Sequence, residues 1–71
     1  MITQQDLENR FTYHLPATEE QISRYASIRA TALALAEHIL NNTLESREQS
    51  LAITKLEEVV FWANASIARN E

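Results

Sequence analysis

Five consecutive residues near the start of the chain, Arg10 to His14, have the side chains best suited to bind a ligand. The segment reads RFTYH, so one cation, two aromatic rings and an imidazole stand within five positions. Tyr13 could stack on a planar base, a contact worth roughly 1–3 kcal/mol in nucleic-acid complexes. Phe11 and Tyr13 could equally close the end of a helical bundle, as aromatic residues often do. The residue types alone leave both interpretations open.

Two further arginines stand where a ligand or an ion pair is expected. Arg29 has Ala26 and Leu33 at helical spacing, which places a guanidinium within an apolar stripe. A buried unpaired guanidinium is costly, so Arg29 requires an anion, either a glutamate of a neighbouring helix or a ligand phosphate. Arg69 follows Trp62 by seven residues on one helical face. There its guanidinium would stack on the indole, contact a ligand or interact favourably with the negative end of the helix dipole.

Catalytic chemistry has little support in the sequence. A general acid and a general base must share a cleft, and His38 is instead expected on the surface near a helix end. Glu57 and Glu58 are adjacent, so on a helix they point about 100° apart and form no facing pair. The chain has no cysteine and only two histidines, which argues against a zinc site. We expect a binding protein without catalytic residues, cofactor or metal.

The composition limits the partners and the compartment. Ten carboxylates against six lysines and arginines give a net charge of −4, which argues against general binding to DNA or RNA. A small anionic ligand held by a few arginines remains compatible with that charge. No apolar run approaches the roughly 20 residues of a membrane span, and the first residues lack the order of a signal peptide. We expect a soluble cytosolic protein that does not bind a membrane.

Three capping pairs mark helix starts and predict a single all-α domain over residues 1–71. In each pair a Ser or Thr is followed three residues later by Asp or Gln. Pro16 separates the first helix from the second, because proline cannot continue a helix. The capping pairs are Thr3 with Asp6, Thr18 with Gln21, and Ser46 with Gln49. The predicted helices are a short one over about 4–10 and two long ones, over about 19–40 and 47–69, that form an antiparallel hairpin.

Both long helices have more apolar surface than a two-helix protein can cover. The middle helix has two apolar stripes, one of Ile22, Tyr25, Ala26, Leu33, Ala36 and Leu40, and one of Ile28, Ala32, Leu35 and Ile39. The last helix has a core-facing stripe of Ala52, Leu56, Val59, Val60, Ala63 and Ile67, and a second stripe of Leu51, Lys55, Trp62, Ser66 and Arg69. A helix that is apolar on several sides is buried on several sides. We therefore predict that hairpins assemble into a homo-oligomeric bundle.

Three segments together resemble a known family. They read NRFTYHLP, RYASIRATALALAEHI and SREQSLAITKLEEVVFWANASIARNE. They are similar to the small phage anti-CBASS proteins of the cyclic-nucleotide sponge type, the second described kind of anti-CBASS protein. The similarity covers nearly the whole chain. Its most specific parts are the Phe-Thr-Tyr-His-x-Pro segment and the last helix.

The resemblance implies a mechanism without turnover. Members are homohexamers of helical protomers that capture cyclic di- and trinucleotides, such as cyclic GMP-AMP, cyclic di-AMP, cyclic di-GMP and cyclic tri-AMP. Sequestering the messenger starves the CBASS effector, so the infected cell is not killed. The resemblance therefore implies a phage protein of immune evasion that acts in the cytoplasm of the infected bacterial host.

The resemblance also implies site residues. Dinucleotides lie in pockets at protomer interfaces, where the family's stacking tyrosine falls on Tyr13 and its basic phosphate contact falls on Arg29. Trinucleotides occupy a separate pocket formed by several chains, where a threonine and an arginine fall on Thr31 and Arg69. The expected neighbours of these residues are Phe11, His14 and Asn64.

Two other functions fit the residue pattern. The chain could be a helical adaptor that binds a partner protein through the face of Leu51, Trp62 and Arg69. Such an adaptor would form a smaller oligomer and would not be stabilised by small molecules. It could also be a purely structural assembly in which Arg29 pairs with a glutamate, and the loss of either residue would then reduce stability alone.

Overall fold

A computed structural model describes residues 1–16 and 18–71, so position 17, within the predicted break after the first helix, lies outside the described residues. The described part contains three α-helices and no strand: α1 (Gln4–Phe11), α2 (Glu19–Asn42) and α3 (Arg47–Asn70). Helices α2 and α3 pack against each other as an antiparallel hairpin. The predicted all-α class with a short first helix and a long hairpin is therefore confirmed for these residues.

Side chains cap the start of each helix at the predicted position. Thr3 Oγ1 accepts a hydrogen bond from the Asp6 N–H at 3.1 Å, and Asp6 Oδ2 accepts one from the Thr3 N–H at 2.9 Å. This reciprocal capping box satisfies two N–H groups that the first turn leaves without helical partners. The bond from the Thr3 backbone also lowers the pKa of Asp6, because it favours the charged carboxylate. At the start of α2, Thr18 Oγ1 accepts a hydrogen bond from the Gln21 N–H, and at the start of α3, Ser46 Oγ accepts one from the Gln49 N–H, each at 3.1 Å.

The connection between α2 and α3 is shorter than predicted. Helix α2 continues two residues past the expected end, because Asn42 Nδ2 donates to the His38 carbonyl and Thr43 Oγ1 donates to the Ile39 carbonyl, both at 2.7 Å. Gln49 Nε2 reaches back and donates to the carbonyl and the hydroxyl of Thr43 at 3.3 and 3.0 Å. It therefore ties α3 to the connection instead of completing the predicted reciprocal box at the start of α3.

The hairpin is a single layer with almost no buried core. Its Cα extents are 45 × 32 × 14 Å and its radius of gyration is 15.4 Å, against about 11 Å for a compact domain of this length. Among the described apolar residues, Ile67 alone is buried, with 7% of its surface exposed. The accessible surface is 5878 Å², whereas a folded monomer of this mass exposes about 4,500 Å². One chain alone is therefore underpacked.

The seam between the two long helices does not follow the predicted stripes throughout. The half-buried apolar residues of α2 are Ile28, Ala32, Ala36 and Ile39, whereas Ile22, Leu33 and Leu40 of the first predicted stripe are exposed. The inward apolar residues of α3 are Ile53, Leu56, Val60, Ala63 and Ile67, whereas Ala52 and Val59 are exposed. In the structure, α2 turns its second stripe towards α3 and leaves most of the first stripe uncovered. The sequence did not predict this choice, because hydrophobic periodicity cannot select one face of a helix that is apolar on nearly all sides.

Candidate anion-binding site at the open end of the hairpin

A pocket of about 380 Å³ lies between the segment that follows α1, the first half of α2 and the last turns of α3. The N-terminal part of the chain contributes Arg10, Thr12, Tyr13, His14 and Pro16 to its walls. The two long helices contribute Tyr25, Asn64, Ala65, Ala68 and Arg69. The volume lies within the range of pockets that hold small-molecule ligands.

The pocket walls are positively charged, although the chain as a whole is acidic. Its walls contain two of the six cationic side chains, Arg10 and Arg69, and none of the ten carboxylates. Two tyrosine rings, Tyr13 and Tyr25, add flat aromatic surface beside these cations. Guanidinium groups bind phosphate and carboxylate oxygens in a planar fork, and tyrosine rings stack on planar groups. The pocket therefore suits an anionic ligand that also carries a planar ring.

A hydrogen bond anchors the segment that presents Tyr13. The half-buried His14 donates from Nε2 to the Asn9 carbonyl oxygen at 2.7 Å. A carbonyl oxygen only accepts, so Nε2 carries the hydrogen, and in the neutral ring Nδ1 is left as an acceptor. Tyr13 is 81% exposed, so this anchored segment holds it at the mouth of the pocket instead of in a core.

Asn64 adds an unsatisfied acceptor to the pocket wall. Its Oδ1 is buried, and no hydrogen-bond donor reaches it from the described part of the chain. A buried acceptor without a donor costs roughly 1–3 kcal/mol. A donor brought by a ligand or by a second copy of the chain would offset that cost.

An ion pair closes the end of the hairpin beside the pocket. Arg24 Nη1 donates to Glu71 Oε2 at 3.1 Å, and Arg24 Nη2 donates to Glu71 Oε1. Arg24 Nε also lies 3.5 Å from Glu20 Oε1 without hydrogen-bond geometry. The bond from Arg24 lowers the pKa of Glu71 from its ordinary 4.5 and raises the pKa of Arg24. Arg24 precedes Tyr25, and Glu71 follows Arg69 by two residues, so the pair ties two walls of the pocket together.

We expect Glu71→Gln to remove a small, acid-sensitive part of the stability. Because the folded-state pKa of Glu71 is lowered, the pair contributes fully above the unfolded pKa near 4.5 and is lost as the pH falls through the lower folded pKa. The wild type should melt slightly above the variant at neutral pH, and the two melting temperatures should converge in acid. Glu57→Gln, at an exposed glutamate without an ion pair among the described residues, serves as the control. A difference that persists unchanged in acid would contradict this role of the pair.

The pocket unites residues that the resemblance divides between two sites. Tyr13 and His14, expected in a dinucleotide pocket, line the same cavity as Arg69, expected in a trinucleotide pocket. Phe11 is exposed and is not part of the wall. The structure therefore brings together four of the seven expected site residues within one chain, namely Tyr13, His14, Asn64 and Arg69.

Arg29 does not occupy the environment that its spacing predicts. The seam of α2 runs through Ile28 and Ala32, so Arg29 faces away from α3 and is exposed, and no ion pair reaches it from the described part of one chain. The single hairpin therefore leaves Arg29 exposed and supplies no glutamate partner from the described residues, whereas a ligand phosphate, the other predicted partner, is not tested. Arg29 follows Tyr25 by one helical turn, which places it beside the pocket along α2 without being in its wall.

Thr31 lies elsewhere on the hairpin, in an apolar groove of about 310 Å³ that also contains Leu35 and Val59. Arg69 stands ten residues beyond Val59 on the same helix, roughly 15 Å along its axis. On one hairpin Thr31 and Arg69 therefore line separate pockets.

Sequence reasoning did not assign Tyr25 to a site, and it named Arg10 only as one of the candidate residues of the RFTYH segment, without a role of its own. The spacing of Tyr25 is that of a core-facing residue, and the structure leaves it half-buried at the pocket wall. The one signal in the sequence was Arg29 one helical turn later, on the same side of α2.

The structure gives no metal site or membrane-spanning helix where it describes the chain. No three His, Cys, Asp or Glu side chains stand together as metal ligands among residues 1–16 and 18–71. None of the helices in that part is both long and apolar enough to cross a membrane.

Comparison with known proteins places the chain in a family. No curated protein and no solved structure matches it. The family model described as Acb2/Tad1, hairpin domain, matches residues 3–68, which include α1, α2 and all but the last residues of α3. Arg69 stands one residue beyond the matched span. The chain thus belongs to the Acb2/Tad1 hairpin domain family, the anti-CBASS cyclic-nucleotide sponges that its sequence resembles.

Proposed function

We propose that this protein binds cyclic di- and trinucleotides and withholds them from CBASS effectors, without turnover, as a homo-oligomer in the cytoplasm of the infected bacterium. The observation that carries the proposal is the pocket at the open end of the hairpin. In an acidic chain of a sponge family, its walls hold two arginines and two tyrosines and no carboxylate.

The chemistry of the pocket matches that of a cyclic dinucleotide. Such a ligand has two planar bases and two phosphodiester groups, each with one negative charge. Tyr13 and Tyr25 offer the aromatic surface, and Arg10 and Arg69 offer the guanidinium forks. Arg29, exposed one turn from Tyr25, is placed to contact a second phosphate or the ligand of a neighbouring copy.

The residues of the pocket support binding without hydrolysis. Cleavage of a phosphodiester requires an activated nucleophile and a general acid, or metal ions that replace them. The pocket walls contain one imidazole and no carboxylate, and Nε2 of that imidazole, on His14, already donates to the Asn9 carbonyl. An engaged imidazole and the absence of carboxylates from the walls support binding rather than cleavage.

The exposed apolar surface supports an assembly, for which the family resemblance suggests a hexamer. The surface exceeds that of a typical monomer by roughly 1,400 Å², and a standard interface takes about 800 Å² from each partner. The excess is larger than the surface that one such interface takes from each partner. Assembly would also bring Thr31 of one copy towards Arg69 of another, as a trinucleotide pocket formed by several chains requires.

A thermal-shift screen tests the proposal. Cyclic di-GMP, cyclic GMP-AMP and cyclic tri-AMP should each raise the melting temperature, since a ligand at a hundred times its Kd stabilises the folded state by about 2.7 kcal/mol. Linear dinucleotides and ATP serve as controls and should give much smaller shifts. Ligand released by denaturation should be chemically unchanged, and linear product would instead indicate a phosphodiesterase.

A second candidate function is an adaptor for a partner protein. It rests on the aromatic face of α3, where Phe61 and the 67% exposed Trp62 adjoin Arg69 around a shallow pocket of about 280 Å³. Large exposed aromatic residues next to an arginine are typical of protein interfaces. The absence of any shift with the cyclic nucleotides would favour this function.

A further inference from the structure

We propose that Arg10 is a phosphate-binding residue of the pocket and acts as a pair with Arg69, so that one chain holds its ligand's charge between two guanidinium groups. This inference rests on the proposed function and gives a specific role to Arg10, which the RFTYH segment offers only as a possible ligand contact and which the family resemblance does not assign to the site.

The carboxylate that would ordinarily neutralise Arg10 is engaged elsewhere. Asp6 stands four residues before Arg10, the spacing of a helical ion pair. Its Oδ2 instead accepts the Thr3 N–H at 2.9 Å, as half of the capping box at the start of α1. Arg10 influences the pKa of Asp6 only weakly, through its charge, and forms no ion pair with any described residue. Its guanidinium is therefore available to an external anion.

Two carboxylates that could pair with Arg69, one two residues after it and one on its face of α3, are engaged in the same way. Glu71 binds Arg24 across the end of the hairpin. Glu58, which shares the aromatic face of α3 with Arg69, lies 3.1 Å from Lys55 Nζ. Among the described residues Arg69 consequently has no ion-pair partner either.

Two unpaired guanidinium groups from different elements thus line one cavity. Arg10 comes from the last turn of α1, and Arg69 from the last turn of α3. Like charges near one pocket repel, and an anion placed between them converts that repulsion into two attractions. Phosphodiester oxygens suit both forks, and Tyr13 supplies a stacking surface for the base beside them. The ligand class is therefore a phosphodiester that carries a planar base.

Arg10→Gln is the test variant, and its affinity for cyclic GMP-AMP and cyclic di-GMP is measured by calorimetry at low and high salt. We expect binding at least about tenfold weaker than in the wild type and less dependent on salt, because a charge-assisted hydrogen bond is lost. Arg10→Lys keeps the charge but not the planar fork of donors, so its affinity should lie between those of the wild type and Arg10→Gln. The matched control is Arg47→Gln, which removes an equal charge from an exposed position at the opposite end of the hairpin and should bind as the wild type.

A purely structural role for Arg10 makes a different prediction. A cation in the last turn of α1 also stabilises the helix, because it interacts with the negative end of the helix dipole. If Arg10→Gln lowered only the melting temperature and left both affinity and salt dependence unchanged, Arg10 would be a helix-end residue and the inference would be wrong.

Side-chain NMR separates failure of this inference from failure of the proposed function. Arginine Nε–Hε signals are assigned from Arg10→Gln and Arg69→Gln, and the wild type is titrated with inorganic pyrophosphate. Shifts of both signals would support the arginine pair even if no cyclic nucleotide bound, and the sponge function alone would then be wrong. Binding of cyclic nucleotides without any shift of the Arg10 signal would overturn the inference and leave the sponge function intact.

Discussion

Replacing Tyr13 by alanine should weaken the binding of cyclic dinucleotides by roughly tenfold to a hundredfold and leave the protein as stable as before. Tyr13 is 81% exposed and lines the pocket beside Arg69, so its ring contributes little to the packing of the hairpin. Loss of one base-stacking contact costs roughly 1–3 kcal/mol, and every 1.4 kcal/mol is a factor of ten in affinity. Calorimetric titration with cyclic GMP-AMP measures the loss, and thermal melting without ligand measures the stability.

The control for Tyr13 keeps the ring and removes the hydroxyl. Tyr13→Phe should retain most of the affinity, because stacking depends on the aromatic face. Should Tyr13→Ala bind as tightly as the wild type, the ring would be no part of the ligand site. Should it instead melt far below the wild type, Tyr13 would be a packing residue of the assembled protein, as its residue type alone also allowed.

The helices of this fold could be predicted from local signals. Thr3, Thr18 and Ser46 each accept the N–H three residues later, a contact that depends on neighbouring residues and is therefore readable from the sequence. The end of α2 was predicted less well, because Asn42 and Thr43 extend the helix by bonding to its own last carbonyls. Helix ends without glycine or proline have no strong stop signal.

The facing surfaces of the helices could not be predicted as well as the helices themselves. Residues 30–36, ATALALA, are apolar on nearly every side, so a hydrophobic pattern permits several rotations of α2 about its axis. The rotation that forms exposes Arg29 and Leu33 and directs Ala32 towards α3. Arg29, predicted within a buried stripe, is therefore a surface residue of the single hairpin.

The pocket depends on contacts between residues far apart in the chain. Arg10 and Arg69 are separated by almost the whole sequence, and they line one cavity because the segment after α1 lies at the end of α3. The hydrophobic periodicity of a sequence carries no information about contacts between residues so far apart. The family resemblance supplies Tyr13 and Arg69 as expected ligand contacts. The availability of Arg10 follows only from the hydrogen bond that engages Asp6 with Thr3.

Val59→Asp should disassemble the protein and abolish its binding of cyclic tri-AMP. Val59 is 59% exposed in the single hairpin and shares an apolar groove with Thr31 and Leu35, so its replacement leaves the contacts between α2 and α3 in place. If copies of the chain cover this groove, an aspartate there would be buried without a partner, and the cost of several kcal/mol would separate the copies. Light scattering after gel filtration measures the mass, and Ser50→Asp, at an exposed polar position of the same helix, controls for the added charge.

The two ligand classes should respond differently to that disassembly. Thr31 and Arg69 line different pockets of one hairpin, and the trinucleotide pocket is expected to be formed by several chains, so trinucleotide binding should vanish when the copies separate. The resemblance places the dinucleotide pocket at a protomer interface, but Arg10, Tyr13 and Arg69 line one pocket within a single chain, so cyclic dinucleotide binding should weaken but persist. A Val59→Asp protein that keeps its mass and binds both ligands would show that the groove is no interface between copies.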